Sequence, residues 1–179
     1  SGLLVRDMYG PSVKPPQPAG LWKSVALPIS KPNRYQPDSG KNIYRRSVYT
    51  YIKRAYPPPS MTIFNAPTRE SCVSRRERTN TPLQALVLMN EEQYVEAAGA
   101  LADNMLKIPS RSDAIRINHL WEHVLARPAD PQESRACLDA LKRFRTDFNS
   151  RGGAVQLGKR RVHPETAAWT VLASAILNL

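Results

Sequence analysis

The chain has 179 residues and a mass of 20.1 kDa, with 26 Lys and Arg against 15 Asp and Glu, 16 prolines and two cysteines. This length suits one domain with a real core, and the prolines demand much extended or loop structure. The formal charge of +11 points to an anionic partner, whether nucleic acid, acidic glycan or an acidic protein face, while two cysteines fit neither a disulfide scaffold nor a four-ligand zinc site.

No Cys-x-x-Cys-His haem attachment, no run of 18 apolar residues and no signal-peptide pattern occur in the sequence, so neither a covalent cofactor nor a membrane span is expected in this segment. Residues 1–40 are rich in proline and glycine, with anchors at Leu3, Leu4, Trp22, Val25, Leu27 and Tyr35. They predict an extended arm that packs on a body. Asp38 or Ser39 can cap a helix from about Lys41 to Ala55, whose inward face is Tyr44, Val48, Tyr51, Ile52 and Ala55. At 100° per residue the opposite side carries Arg46, Tyr49 and Lys53, with Arg45 adjoining. A basic ridge with an aromatic in its middle suits stacking on a sugar or base beside a phosphate or sulfate. The ordinary alternative is a wet helix face.

Pro57, Pro58 and Pro59 stop that helix, and Met61, Ile63 and Phe64 look like anchors for the loop after them. From Tyr56 to Asn80 the sequence predicts a long irregular loop holding Arg69, Arg75, Arg76 and Arg78, closed by Asn80, with Glu70 and Glu77 available to fix some of the arginines. Residues 41–80 contain nine Lys or Arg against two Glu, a local +7 of the total +11. Arginine's planar fork serves bidentate contact with carboxylate, sulfate or phosphate, and equally the pinning of a loop to backbone carbonyls.

Thr81, Pro82 and Gln84 form a capping box with proline at the first helical position, and Leu83, Leu86, Val87 and Met89 are expected to bury the helix they start. Asn90 with Glu91 and Glu92 reads as a second start, leading an apolar stripe to about Lys107. Ser110 with Asp113 opens a helix facing Ile117, Leu120, Trp121, Val124 and Leu125 inward. Asp130, Pro131 and Glu133 open another that buries Cys137, Leu138, Leu141, Phe144 and Phe148. Residues 151–161 read as a glycine-containing basic loop. Pro164 opens a final helix, apolar nearly all round and therefore central, which ends at Leu179 without a cap and so suggests a chain that continues.

His119, Glu122 and His123 match His-x-x-Glu-His, a spacing that can hold zinc, but both histidines fall on the solvent side of their helix, where adventitious metal capture is the stronger expectation. Cys72 lies among arginines, which would favour its thiolate, although a packed structural thiol is the simpler reading. The fold class is therefore all-α, a bundle of about five to six helices over 1–179, with a Pro-rich arm over 1–40, a helical body over 41–179 and one long Arg-rich loop.

The run YRRSVYTYIKRAYPPPSMTIFNAPTRESCVSRRERTNTPLQALVLMN from Tyr44, with GPSVKPPQPAGLW at 10–22 and LARPADPQE at 125–133, resembles the C-terminal domain of unknown function of large planctomycete-type proteins that often carry cytochrome c domains upstream. The resemblance implies a mainly helical domain, an exported multidomain parent, other domains of that parent as partners, haem elsewhere in the parent, and the company of carbohydrate-recognition modules. It implies no established activity or catalytic residue. Asn65 stands where that family more often has Asp, which weakens an acid or metal role there, and Gly99 stands where Arg is common. The expected function is a non-catalytic interaction module with a basic surface for acidic or sulfated polysaccharide or a neighbouring domain. An enzyme acting on polysaccharide is the alternative, and nucleic-acid binding rests on charge alone.

Overall fold

The computed structural model describes residues 1–17, 20–21, 35–53, 57–68, 70–110 and 112–179, so Trp22, Val25, Leu27, Ala55 and Arg69 lie outside the described residues. The chain divides into two units, Leu3–Gln84 on one side and Ser1–Gly2 with Ala85–Leu179 on the other. Among the described residues it is mainly helical, with six α-helices, two 3-10 turns and one short hairpin.

The two expected capping boxes form, whereas the helices that open at Glu92 and Asp113 have no side-chain cap bond, contrary to the starts expected from Asn90 and Ser110. For α2 (Pro82–Asn90) the Thr81 amide donates to Gln84 Oε1 at 3.1 Å and the Gln84 amide donates back to Thr81 Oγ1 at 3.3 Å. For α5 (Pro131–Ser150) Asp130 Oδ1 accepts from the Gln132 and Glu133 amides, and Glu133 Oε2 accepts from the Asp130 amide. Between them, α3 (Glu92–Leu106) restarts after a break at Glu91, and α4 (Asp113–Leu125) ends at Ala126. Ala126 has φ 56°, the left-handed position that normally takes glycine. Replacing it with glycine is therefore expected to raise stability by about 1 kcal/mol, read as an upward shift in the urea midpoint.

The core of the second unit forms around α6 (Pro164–Leu177), which packs on α3, α4 and α5. Trp169, Leu172 and Ile176 of α6 are buried with Ala98, Leu101 and Met105 of α3, Ile117, Leu120 and Trp121 of α4, and Leu141 and Phe148 of α5. Cys137 is half-buried against this cluster as a free thiol. Arg145 of α5 ties the polar edge: its guanidinium donates to Asp113 at 2.6 Å and 3.1 Å and to Glu165 at 2.5 Å and 2.8 Å, and Trp169 Nε1 donates to Glu165 at 3.0 Å.

The expected 151–161 loop is instead an antiparallel hairpin, β1 (Val155–Leu157) with β2 (Arg160–Val162). Gly158, at φ 57°, takes the first of the two turn positions, where glycine lets so tight a loop close. Two of its three basic residues are engaged: Lys159 pairs with Glu92 at 2.7 Å and Arg160 with Asp103 at 2.8 Å, while Arg161 is exposed. Gly99 leaves Arg160 room, since a Cβ there would stand 3.0 Å from Arg160 Nη1.

In the first unit the helix expected over 41–55 does not form across the described residues 41–53. Gly40–Tyr44 and Ser47–Tyr49 are 3-10 turns, and Val48 is exposed. The backbone groups that such a helix would use internally go to the arm: Val5 N donates to Tyr44 O, Val13 N to Tyr49 O, and Tyr51 N to Val13 O. Asp38 caps no helix; its carboxylate accepts from the Lys14 amide at 2.8 Å. Tyr35 anchors the arm through a 2.6 Å bond to Pro15 O, and burial pushes its hydroxyl up to about 12. Leu4, expected as an anchor, is exposed, whereas Val13 is buried. One short helix, α1 (Pro59–Ile63), interrupts the long loop, with Pro59 at its first turn.

Leu83, Leu86 and Met89 are each more than half exposed, contrary to their expected burial. Gln84 sets the roll of α2: it is 6% exposed, so the positions one turn on, Val87 and Leu88, face inward with it.

Candidate functional site

Gln84 organises a cleft in the first unit. Its side-chain amide donates to Ile63 O at 2.8 Å, at the end of α1, and to Thr79 Oγ1 at 2.8 Å, on the returning limb of the loop. Thr79 Oγ1 also accepts from Asn65 Nδ2 at 2.7 Å. Asn65 sits at φ 54°, a conformation asparagine tolerates better than most residues, and it turns the chain out of α1. Arg76 closes the arrangement, with its Nε donating to Phe64 O at 3.0 Å and its Nη2 donating to the same carbonyl. The result is an open cleft of about 500 Å³ lined by Phe64, Asn65, Arg75, Arg76, Glu77, Arg78, Thr79 and Gln84. A further hollow of about 480 Å³ is bounded by Arg75, Glu77, Arg78 and Thr79.

The arginines divide by what they hold. Arg76 is committed to the loop's own backbone. Arg75 and Arg78 are exposed and make no ion pair or hydrogen bond among the described residues. Neither Glu70 nor Glu77 pairs with a described arginine, so the expected acidic partners leave these two guanidiniums open. Unpaired guanidinium forks lining a cleft can each grip an oxyanion bidentately. The lining supplies one carboxylate, Glu77, and no histidine or cysteine; its Thr79 hydroxyl is already engaged by two donors. This set can bind charge, and it offers no nucleophile with an adjacent base.

The remaining sequence-selected residues are placed elsewhere. Arg45 stacks on Tyr49 at 3.9 Å and donates to Pro11 O at 3.0 Å, to Asp7 O at 3.4 Å and to Tyr9 O, so it serves the arm. Tyr49 Oη accepts from the Tyr9 amide at 2.9 Å. Arg46 is exposed, 5.7 Å from the Tyr49 ring centroid, and Lys53 is half-buried. Asn80 is exposed and does not line the cleft, and Arg69 is outside the described residues. Cys72, expected to be packed, is an exposed free thiol.

His119 and His123 are both exposed, as their helix face predicts, and His119 Nδ1 stands 3.7 Å from Glu122. No group of three or more His, Cys, Asp and Glu among the described residues is arranged to hold a metal, and no described helix is long and apolar enough to cross a membrane. Sequence reasoning missed Asn65, Thr79 and the burial of Gln84. The available signal was the amide at the third position of the helix, which has two donors left after capping and, if buried, must satisfy them.

Comparison with curated proteins gives no match, and comparison with solved structures gives none either. A model of one family matches residues 1–141, most of the chain, across the arm, the cleft and α2 to α4. The chain belongs to the PSD1 family of proteins of unknown function (DUF1553).

Proposed function

We propose that this chain is a non-catalytic helical module of a larger exported, redox-associated protein, and that its basic cleft binds the sulfate or carboxylate groups of an acidic polysaccharide. The supporting observation is the pair Arg75 and Arg78, open to solvent on a cleft of about 500 Å³ whose shape is set by Gln84, Thr79 and Asn65. An oxyanion there completes the donor forks without the cost of breaking an internal ion pair. The exported setting, the haem in neighbouring domains and the carbohydrate context come from the resemblance and belong to the same proposal.

The test is retention of the protein on immobilised sulfated dextran across a salt gradient. Arg75→Ala with Arg78→Ala should elute at markedly lower salt, because two charge-assisted contacts are lost. Arg45→Ala instead disturbs the arm, so a matched loss there with none in the double variant would remove the cleft from the account. Duplex DNA serves as the comparison ligand: binding that disappears by about 0.15 M salt is nonspecific attraction.

A further inference from the structure

The turn over residues 7–11 carries a contradiction between its backbone and its sequence. Tyr9 sits at φ 63°, a left-handed conformation that is an outlier for a bulky side chain, and Gly10 follows at φ 93°. Four bonds hold the turn there. The Tyr9 amide donates to Tyr49 Oη at 2.9 Å, and Arg45 reaches the carbonyls of Asp7, Tyr9 and Pro11 while stacked on the Tyr49 ring. Lys41 adds a 3.5 Å pair to Asp7. All this fixes the backbone, and the Tyr9 side chain receives nothing in return, being 80% exposed.

A glycine at position 9 would adopt this φ without strain, and the ring adds almost no buried surface. Strain persists where the surroundings over-determine it, and it gathers at places that meet a ligand. The flanking residues are basic: Arg6 lies three positions before Tyr9, and the Arg46 guanidinium stands 5.7 Å from the ring of Tyr49, whose hydroxyl holds the Tyr9 amide; both arginines are exposed, and neither side chain makes an ion pair or hydrogen bond among the described residues. We infer that Tyr9 is a preformed stacking platform for a pyranose ring of an anionic saccharide, with Arg6 and Arg46 receiving that sugar's sulfate or carboxylate. A rigid aromatic contributes contact area at little conformational cost, and guanidiniums beside it select the acidic sugar over a neutral one. This rests on the acidic-polysaccharide reading and adds a second point of contact outside the cleft.

The experiment measures affinity for a size-defined sulfated oligosaccharide at several salt concentrations, with wild type, Tyr9→Gly, Tyr9→Phe, and Arg75→Ala with Arg78→Ala. Tyr9→Gly should weaken binding about tenfold with the salt slope unchanged, because stacking is lost and no charge is. Its thermal midpoint should not fall, since the strain is relieved. Tyr9→Phe should bind within about twofold of wild type, because the ring remains. Wild-type affinity in Tyr9→Gly overturns the platform whatever the arginine variant does. An unchanged salt slope in the arginine variant, with the Tyr9→Gly loss intact, leaves the platform standing and removes the cleft. Absence of wild-type binding removes both.

Discussion

Replacing Arg145 with methionine is expected to lower stability by roughly 2 to 3 kcal/mol at neutral pH, the largest effect of any single polar change in the second unit. The guanidinium joins three helices through Asp113 at the start of α4 and Glu165 in the first turn of α6. Methionine keeps the aliphatic stem but leaves two half-buried carboxylates facing each other without a cation. Hydrogen bonds from Arg145 hold both carboxyls below their ordinary range. Groups with depressed values contribute stability that is present above the unfolded carboxylate range and lost as pH falls through the folded values. The gap between wild type and Arg145→Met should therefore be widest near pH 7 and close at acidic pH, below about 4. Urea unfolding at neutral and acidic pH checks this; a gap that stayed constant with pH would mean that Arg145 acts through its stem alone.

Gln84→Leu is expected to cost about 3 kcal/mol and to abolish binding in the cleft, because one side chain makes three bonds that join the loop, α1 and α2. Leucine fills a similar volume, so packing changes little, but the Ile63 carbonyl and the Thr81 amide lose their partner. Thr79 would keep only its bond from Asn65, and the segment carrying Arg75 and Arg78 would lose its tie to α2. Urea unfolding gives the stability change, and amide hydrogen exchange over residues 64–79 should quicken. Exchange that stayed at the wild-type rate would show the loop is held by Arg76 and Phe64 instead.

Much of the helical framework is local chemistry and was legible as such. Asp130 with Glu133 and Thr81 with Gln84 specify helix starts through atoms three residues apart, and the apolar stripes of α3, α5 and α6 follow their period into the core. The errors lie where distant partners decide. The 41–55 segment has helical spacing, yet Ile43, Tyr44, Val48, Tyr49, Thr50, Tyr51 and Ile52 are aromatic or β-branched and suit extended pairing, which the arm supplies. On α2 apolar residues occur on nearly every side, so periodicity could not say which face turns in, and a polar residue decided it.

The candidate site was legible as composition and illegible as roles. A cluster of arginines announces a basic surface, but whether a given guanidinium meets a ligand or a carbonyl depends on which backbone passes nearby. Arg45 and Arg76 are taken by carbonyls 34 and 12 residues away in sequence, while Arg75 and Arg78 are left for solvent. The expected Glu70 and Glu77 braces fail for the same reason: neighbours in sequence along an irregular loop need not face one another.

The most direct test is the salt dependence of binding to a size-defined sulfated oligosaccharide by wild type and by Arg75→Ala with Arg78→Ala. Binding that weakens as salt rises is predicted for wild type, with the slope of log affinity against log salt shallower by about one for each arginine removed. Equal slopes for the two proteins, or no binding by wild type, would contradict the assignment of the cleft.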